Sequence, residues 1–151
     1  MKTFKDSTGR NWKISLTLGS AMAVKDALGV DLLQPEQGDP PLLTRLGTDE
    51  MLLGEVLCEL LADQFEANGV DGPEVRRAFD GATMLAAQTA FYDELIDFFR
   101  SRGRTDRSTA VAKQAEVIEL AVAKLQADVE NIDAAEMISG AMSGSLPALS
   151  A

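Results

Sequence analysis

Apolar and polar positions change their period along this chain, and each change marks an element. In the first 17 residues Trp12, Ile14 and Leu16 alternate with Asn11, Lys13, Ser15 and Thr17. Period two gives a strand with one apolar face. Phe4 lies on the other side of the cluster Asp6-Ser7-Thr8-Gly9, so residues 1–17 read as a β-hairpin, with Gly9 supplying the positive φ of a tight turn. A lone hairpin is marginal in water, and the following helices are its expected cover.

From residue 19 the period becomes helical. A short helix is predicted over about 19–28, with Ser20 as N-cap and Gly29 as terminator. The segment Gln34–Pro41 holds three prolines and a glycine and reads as an exposed loop. Thr48 is the expected N-cap of a helix over 48–67, with Asp49 and Glu50 in its first turn. Its stripe is Leu53, Val56, Leu57, Leu60, Leu61 and Phe65, and Asn68-Gly69 ends it. Gly72-Pro73-Glu74 opens a short helical piece reaching Phe79. Asp80 then caps a helix over 82–100, whose Phe91, Tyr92, Leu95 and Phe99 place it at the centre of the core.

The last helix, 108–132, has the most regular pattern. Val111, Ala115, Ile118, Val122, Leu125, Val129 and Ile132 recur at spacings of four and three. This is a heptad seam. It either packs on the chain's own helices or receives a helix from a partner or a second copy. From Gly140 the chain turns to Ala, Ser, Gly and Pro, so 140–151 is expected to be a flexible tail behind a single domain of 1–139. The predicted class is α+β, mostly α: an N-terminal hairpin packed on a small helical bundle with a long C-terminal helix.

Composition removes chemistry from this picture. The 151 residues include no histidine and one cysteine. Imidazole bases, His-ligated zinc, Ser-His-Asp sites and internal disulfides are therefore excluded. A net charge of −10 argues against nucleic-acid binding, and no apolar run approaches the length of a membrane span. Cys58 reads as a small core residue. The carboxylates Glu55, Glu59 and Asp63, four apart, read as a solvated acidic face. Arg100, Arg102, Arg104 and Arg107 surround Gly103. They could hold a phosphate or an acidic partner, but more simply they satisfy a helix C-terminus and pair with the acidic helix carrying Glu55 and Glu59. No phosphate-binding glycine motif or nucleophile elbow occurs. No catalytic residue, cofactor or metal is expected.

The pattern Phe4-x-Asp6-x-x-Gly9-Arg10-x-Trp12-x-Ile14, followed by Gly29-Val30-Asp31-Leu32-Leu33, resembles small tail assembly chaperones of tailed phages and prophages. The stretch Asp93–Phe99 and the basic loop after it are also similar, so the resemblance covers roughly residues 1–130. It implies a non-enzymatic role in the cytoplasm of the infected host. There such a chaperone coats the long apolar tape-measure protein until tail-tube subunits displace it. The expected gripping residues are Leu53, Leu57 and Leu61 on one helix and Ile118, Val122 and Leu125 on the other, each of which also fits a core position. A homo-oligomer is a further expectation. A minor tail or connector protein of the virion is the alternative, and an acidic mimic of DNA is a third reading, opposed by the clustered arginines.

Overall fold

A computed structural model describes residues 2–130, without the side chains of Val122 and Glu130. It is mostly helical, with one N-terminal hairpin. Two compact units divide the chain, residues 1–116 and 117–151. The single domain of 1–139 read from the sequence drew its division later, at Gly140, and the flexible tail expected over 140–151 lies outside the described residues. Ile132, the last position of the expected seam, lies outside them too.

The hairpin pairs β1 (Lys2–Lys5) with β2 (Asn11–Ile14) in antiparallel register, Phe4 opposite Trp12 and Lys2 opposite Ile14. Phe4, Trp12, Ile14 and Leu16 are all buried, which is the face that the alternation predicts. Asp6 organises the turn. Its buried carboxylate accepts from the Thr8 backbone N–H (2.9 Å), the Thr8 hydroxyl (2.7 Å), the Arg10 N–H (3.1 Å) and the Trp12 indole N–H (3.0 Å). Burial pushes this carboxyl upward, but the donors from Thr8, Trp12 and Arg10 outweigh burial and hold its pKa at about 2. The outer edge of β2 is closed by a side chain. The Gln64 amide accepts from Lys13 N–H (3.0 Å) and donates to Lys13 C=O (2.8 Å), as a neighbouring strand would.

The N-cap of helix α1 (Leu18–Leu28) lies three residues before the expected one. Thr17, not Ser20, is the N-cap, and the two side chains form a reciprocal capping box, with Gly29 (φ 71°) at the other end. The chain then forms a helix that the sequence reading missed, α2 (Leu42–Thr48), which buries Leu42, Leu43 and Leu46. Thr48 is therefore the last residue of α2 and not a cap. Asp49 caps α3 (Glu50–Leu61), accepting from Leu52 N–H at 3.1 Å. The expected helix over 48–67 ends six residues early, because a 3₁₀ turn over Ala62–Gln64 redirects the chain. Helices α4 (Gly72–Ala78) and α5 (Gly81–Ser101) follow near their predicted places, capped by Asp71 and Asp80.

The core of residues 1–116 forms between these elements. β1 lies along α5, and α1 and α2 pack on α3. Among the fully buried side chains are Trp12, Leu46, Leu57, Leu61, Phe91 and Phe99. The last helix, α6 (Thr105–Glu130), begins three residues before its expected start.

The start of α6 is fastened to the proline loop. Arg107 donates to Glu36 at 2.6 Å and lies over the Phe99 ring, 5.9 Å from its centroid. Burial raises the Glu36 carboxyl, and the Arg107 hydrogen bond overcomes this and lowers it. Replacing Arg107 by Ala should cost about 1 kcal/mol through the lost charge-assisted bond and ring contact. Hydrogen exchange should then quicken at the amides of Leu42 and Leu43, which bond back to Gln37 and Pro35 within that loop. Unchanged exchange there would show that Arg107 does not hold the loop.

Candidate functional site

The six residues expected to grip a partner separate into two groups. Leu53, Leu57 and Leu61 of α3 are 2, 0 and 0% exposed. Their stripe is spent on the chain's own core, against α1, α2 and neighbouring elements, so they present no surface to a partner. Of the two roles that the sequence leaves open for them, a core position is the one they occupy here. The sequence shows only that such a stripe must be covered, not by what.

The α6 seam behaves differently. Val111 is fully buried, Ala115 and Ile118 are half-buried, and Leu125 and Val129 are 64 and 65% exposed. One heptad row thus runs from closed to open along a single helix. Val117 and Leu120, also exposed, lie outside the seam, so residues 117–129 show apolar side chains on more than one side. Val122 belongs to this row by position, and its side chain lies outside the described part. A soluble protein carries single exposed apolar residues without consequence, so Leu125 and Val129, neighbours at helical spacing, are the candidate contact surface of this helix.

The arginine cluster is largely spent within the chain. Arg100 pairs with Asp97 (3.5 Å), Arg104 with Asp106 (2.8 Å) and Arg107 with Glu36 (2.6 Å). Its partners are therefore not Glu55 and Glu59, as the sequence suggested. In Asp106 the Arg104 hydrogen bond is the leading influence and lowers the carboxyl to about 2.

Glu55 and Glu59 instead stand beside a groove of about 570 Å³ within residues 1–116. Cys58 lies in this groove, half-buried, and not in the sealed core. Burial pushes its thiol pKa up. Arg76 draws it down and is outweighed, with Glu59 and Glu55 acting in the same direction as burial. The sequence offered no cation near Cys58, because Arg76 reaches it from another helix. Among the described residues no group of three or more His, Cys, Asp or Glu side chains is placed to hold a metal ion.

Comparison with protein-family models, with curated proteins and with solved structures finds no match for this chain.

Proposed function

We propose that this protein is a non-enzymatic binding protein that shields an apolar helix of another protein, in the manner of a tail assembly chaperone on a tape-measure protein. The observation that supports this reading is the open end of the α6 seam, Leu125 and Val129. A helix laid along such a row buries side chains at i, i+3, i+4 and i+7. Each large aliphatic group transferred from water contributes about 1.5–3 kcal/mol, so a few suffice for a specific complex. The net charge of −10 gives complexes a repulsive exterior and keeps a coated apolar protein soluble. No helix among the described residues is long and apolar enough to cross a membrane. Action in the cytoplasm of an infected host is part of the proposal.

The reading predicts a tape-measure gene beside the one for this chain, and the test is co-expression with its product. The wild-type chain should keep it soluble and co-purify with it. The double variant Leu125→Asp, Val129→Asp should lower affinity by roughly a hundredfold or more, from the lost burial of two aliphatic groups. Undiminished capture by the double variant would overturn the α6 assignment. Mass spectrometry of intact particles checks the role: a chaperone is absent from them, and a stoichiometric presence would make the chain a structural tail or connector component instead.

A further inference from the structure

The groove beside Cys58 does not belong to the α6 surface, and the inference drawn from it is independent of the chaperone reading. Its apolar lining comes from three helices and one helix end: Leu28 ends α1, Met51 and Cys58 lie on α3, Met84 lies in the first turn of α5, and Phe79 follows α4. Met51 is 79% exposed, and both methionines are flexible, polarizable side chains suited to an adaptable contact. The volume of about 570 Å³ accommodates the few large side chains that one face of a helix inserts.

The rim is charged on one side of the balance. Glu50, Glu55 and Glu59 stand against the single cation Arg76, and none of the three carboxylates forms an ion pair among the described residues. We propose that this groove docks a basic amphipathic helix of a partner protein, its apolar face on the methionines and its lysines or arginines on the three carboxylates. Charge complementarity selects this occupant. A second copy would bring the same acidic rim and a further net charge of −10. Residues 131–151 of this chain carry Asp133 and Glu136 and neither lysine nor arginine. A strand is not favoured, because the groove is lined by helical segments and offers no sheet edge.

The test uses the full chain with Leu125→Asp and Val129→Asp, which removes the α6 row as a second place for an apolar helix face, and a pair of synthetic 18-residue helices of one amphipathic pattern, one built from Leu and Lys, the other from Leu and Glu. Affinity is read by fluorescence anisotropy, and occupancy by the alkylation rate of Cys58, the chain's single cysteine. The Lys peptide should bind and slow alkylation by roughly tenfold or more at saturation, and the Glu peptide should do neither. The double variant Glu55→Lys, Glu59→Lys should weaken the Lys peptide by roughly tenfold or more. A control, Glu119→Lys with Asp128→Lys on exposed positions of α6, makes the same change in net charge elsewhere and should leave affinity within roughly twofold. Each alkylation rate is referred to the same variant without peptide, since the substitutions themselves alter the thiol's surroundings. Binding without protection of Cys58, equal loss in the control, or equal binding of the Glu peptide would overturn the proposal. So would protection of Cys58 by raising the concentration of the chain alone, which would make a second copy the occupant.

Discussion

Replacing Leu57 by Asp should leave no folded protein, whereas Leu125→Asp should leave the melting temperature of residues 1–116 unchanged. The two residues are the same in type and were given the same role from sequence, but Leu57 is 0% exposed and Leu125 is 64% exposed. Even Leu57→Ala should cost about 2–5 kcal/mol, since removal of a packed side chain loses its transfer energy and leaves a cavity. A buried carboxylate adds a desolvation cost of several kcal/mol, which together approaches the whole stability of a small domain, about 5–15 kcal/mol. At Leu125 the side chain already meets water, so Asp changes little in the free chain. Circular dichroism melts of both variants check this. A folded Leu57→Asp protein would mean that α3 is not packed as described, and an unfolded Leu125→Asp protein would return the α6 row to structural duty.

The Asp6→Ala variant should lose about 3–4 kcal/mol of stability. The substitution leaves the buried Trp12 indole N–H without its acceptor, at about 1–3 kcal/mol, and removes the part-buried hydrogen bonds from the Thr8 and Arg10 backbone N–H groups, at about 0.5–1.5 kcal/mol each. The same carboxylate makes stability depend on pH. Its folded pKa of about 2 lies below its ordinary value of 3.8. The contribution, about 2 kcal/mol, is complete above pH 3.8 and is lost as pH falls through 2. Denaturant melts from pH 6 to pH 2 should therefore fall less steeply in Asp6→Asn than in the wild type. Parallel curves would show that Asp6 is not the group responsible.

Asp6 also explains why a short motif reads so strongly in this sequence. In Phe4-x-Asp6-x-x-Gly9-Arg10-x-Trp12-x-Ile14, the apolar residues are the buried face, Gly9 takes φ 88°, and Asp6 gathers the donors of Thr8, Arg10 and Trp12. The motif is an account of how the hairpin folds. It bears on function only through the resemblance that it shares.

Elements governed by local rules were legible in advance. The alternation over 11–17, the prolines of 34–41, Pro73 in the first turn of its helix and the cap at Asp80 all act within a few residues, and each stands where it was read. Helix α2 was missed because Leu42, Leu43 and Leu46 follow three prolines and precede Gly47, so the turn signal concealed a helix of seven residues. The error at Thr48 has the same origin: Thr48 and Asp49 are both good caps, and only the end of α2 decides between them. The candidate sites were less legible. Whether Leu53 or Leu125 faces protein or water depends on neighbours remote in sequence, and periodicity is silent about them. The groove needed more still, since it brings together residues as distant as Leu28 and Met84.

The central claim is that the open α6 row serves another protein's helix. Hydrogen exchange across residues 117–129 tests it most directly, measured on the full chain alone and with the tape-measure protein. The amides of this stretch should exchange markedly more slowly in the complex than in the free chain, and the slowing should vanish in the Leu125→Asp, Val129→Asp variant. Exchange that is unaltered by the partner, or already slowed in the chain alone through self-association, would contradict it.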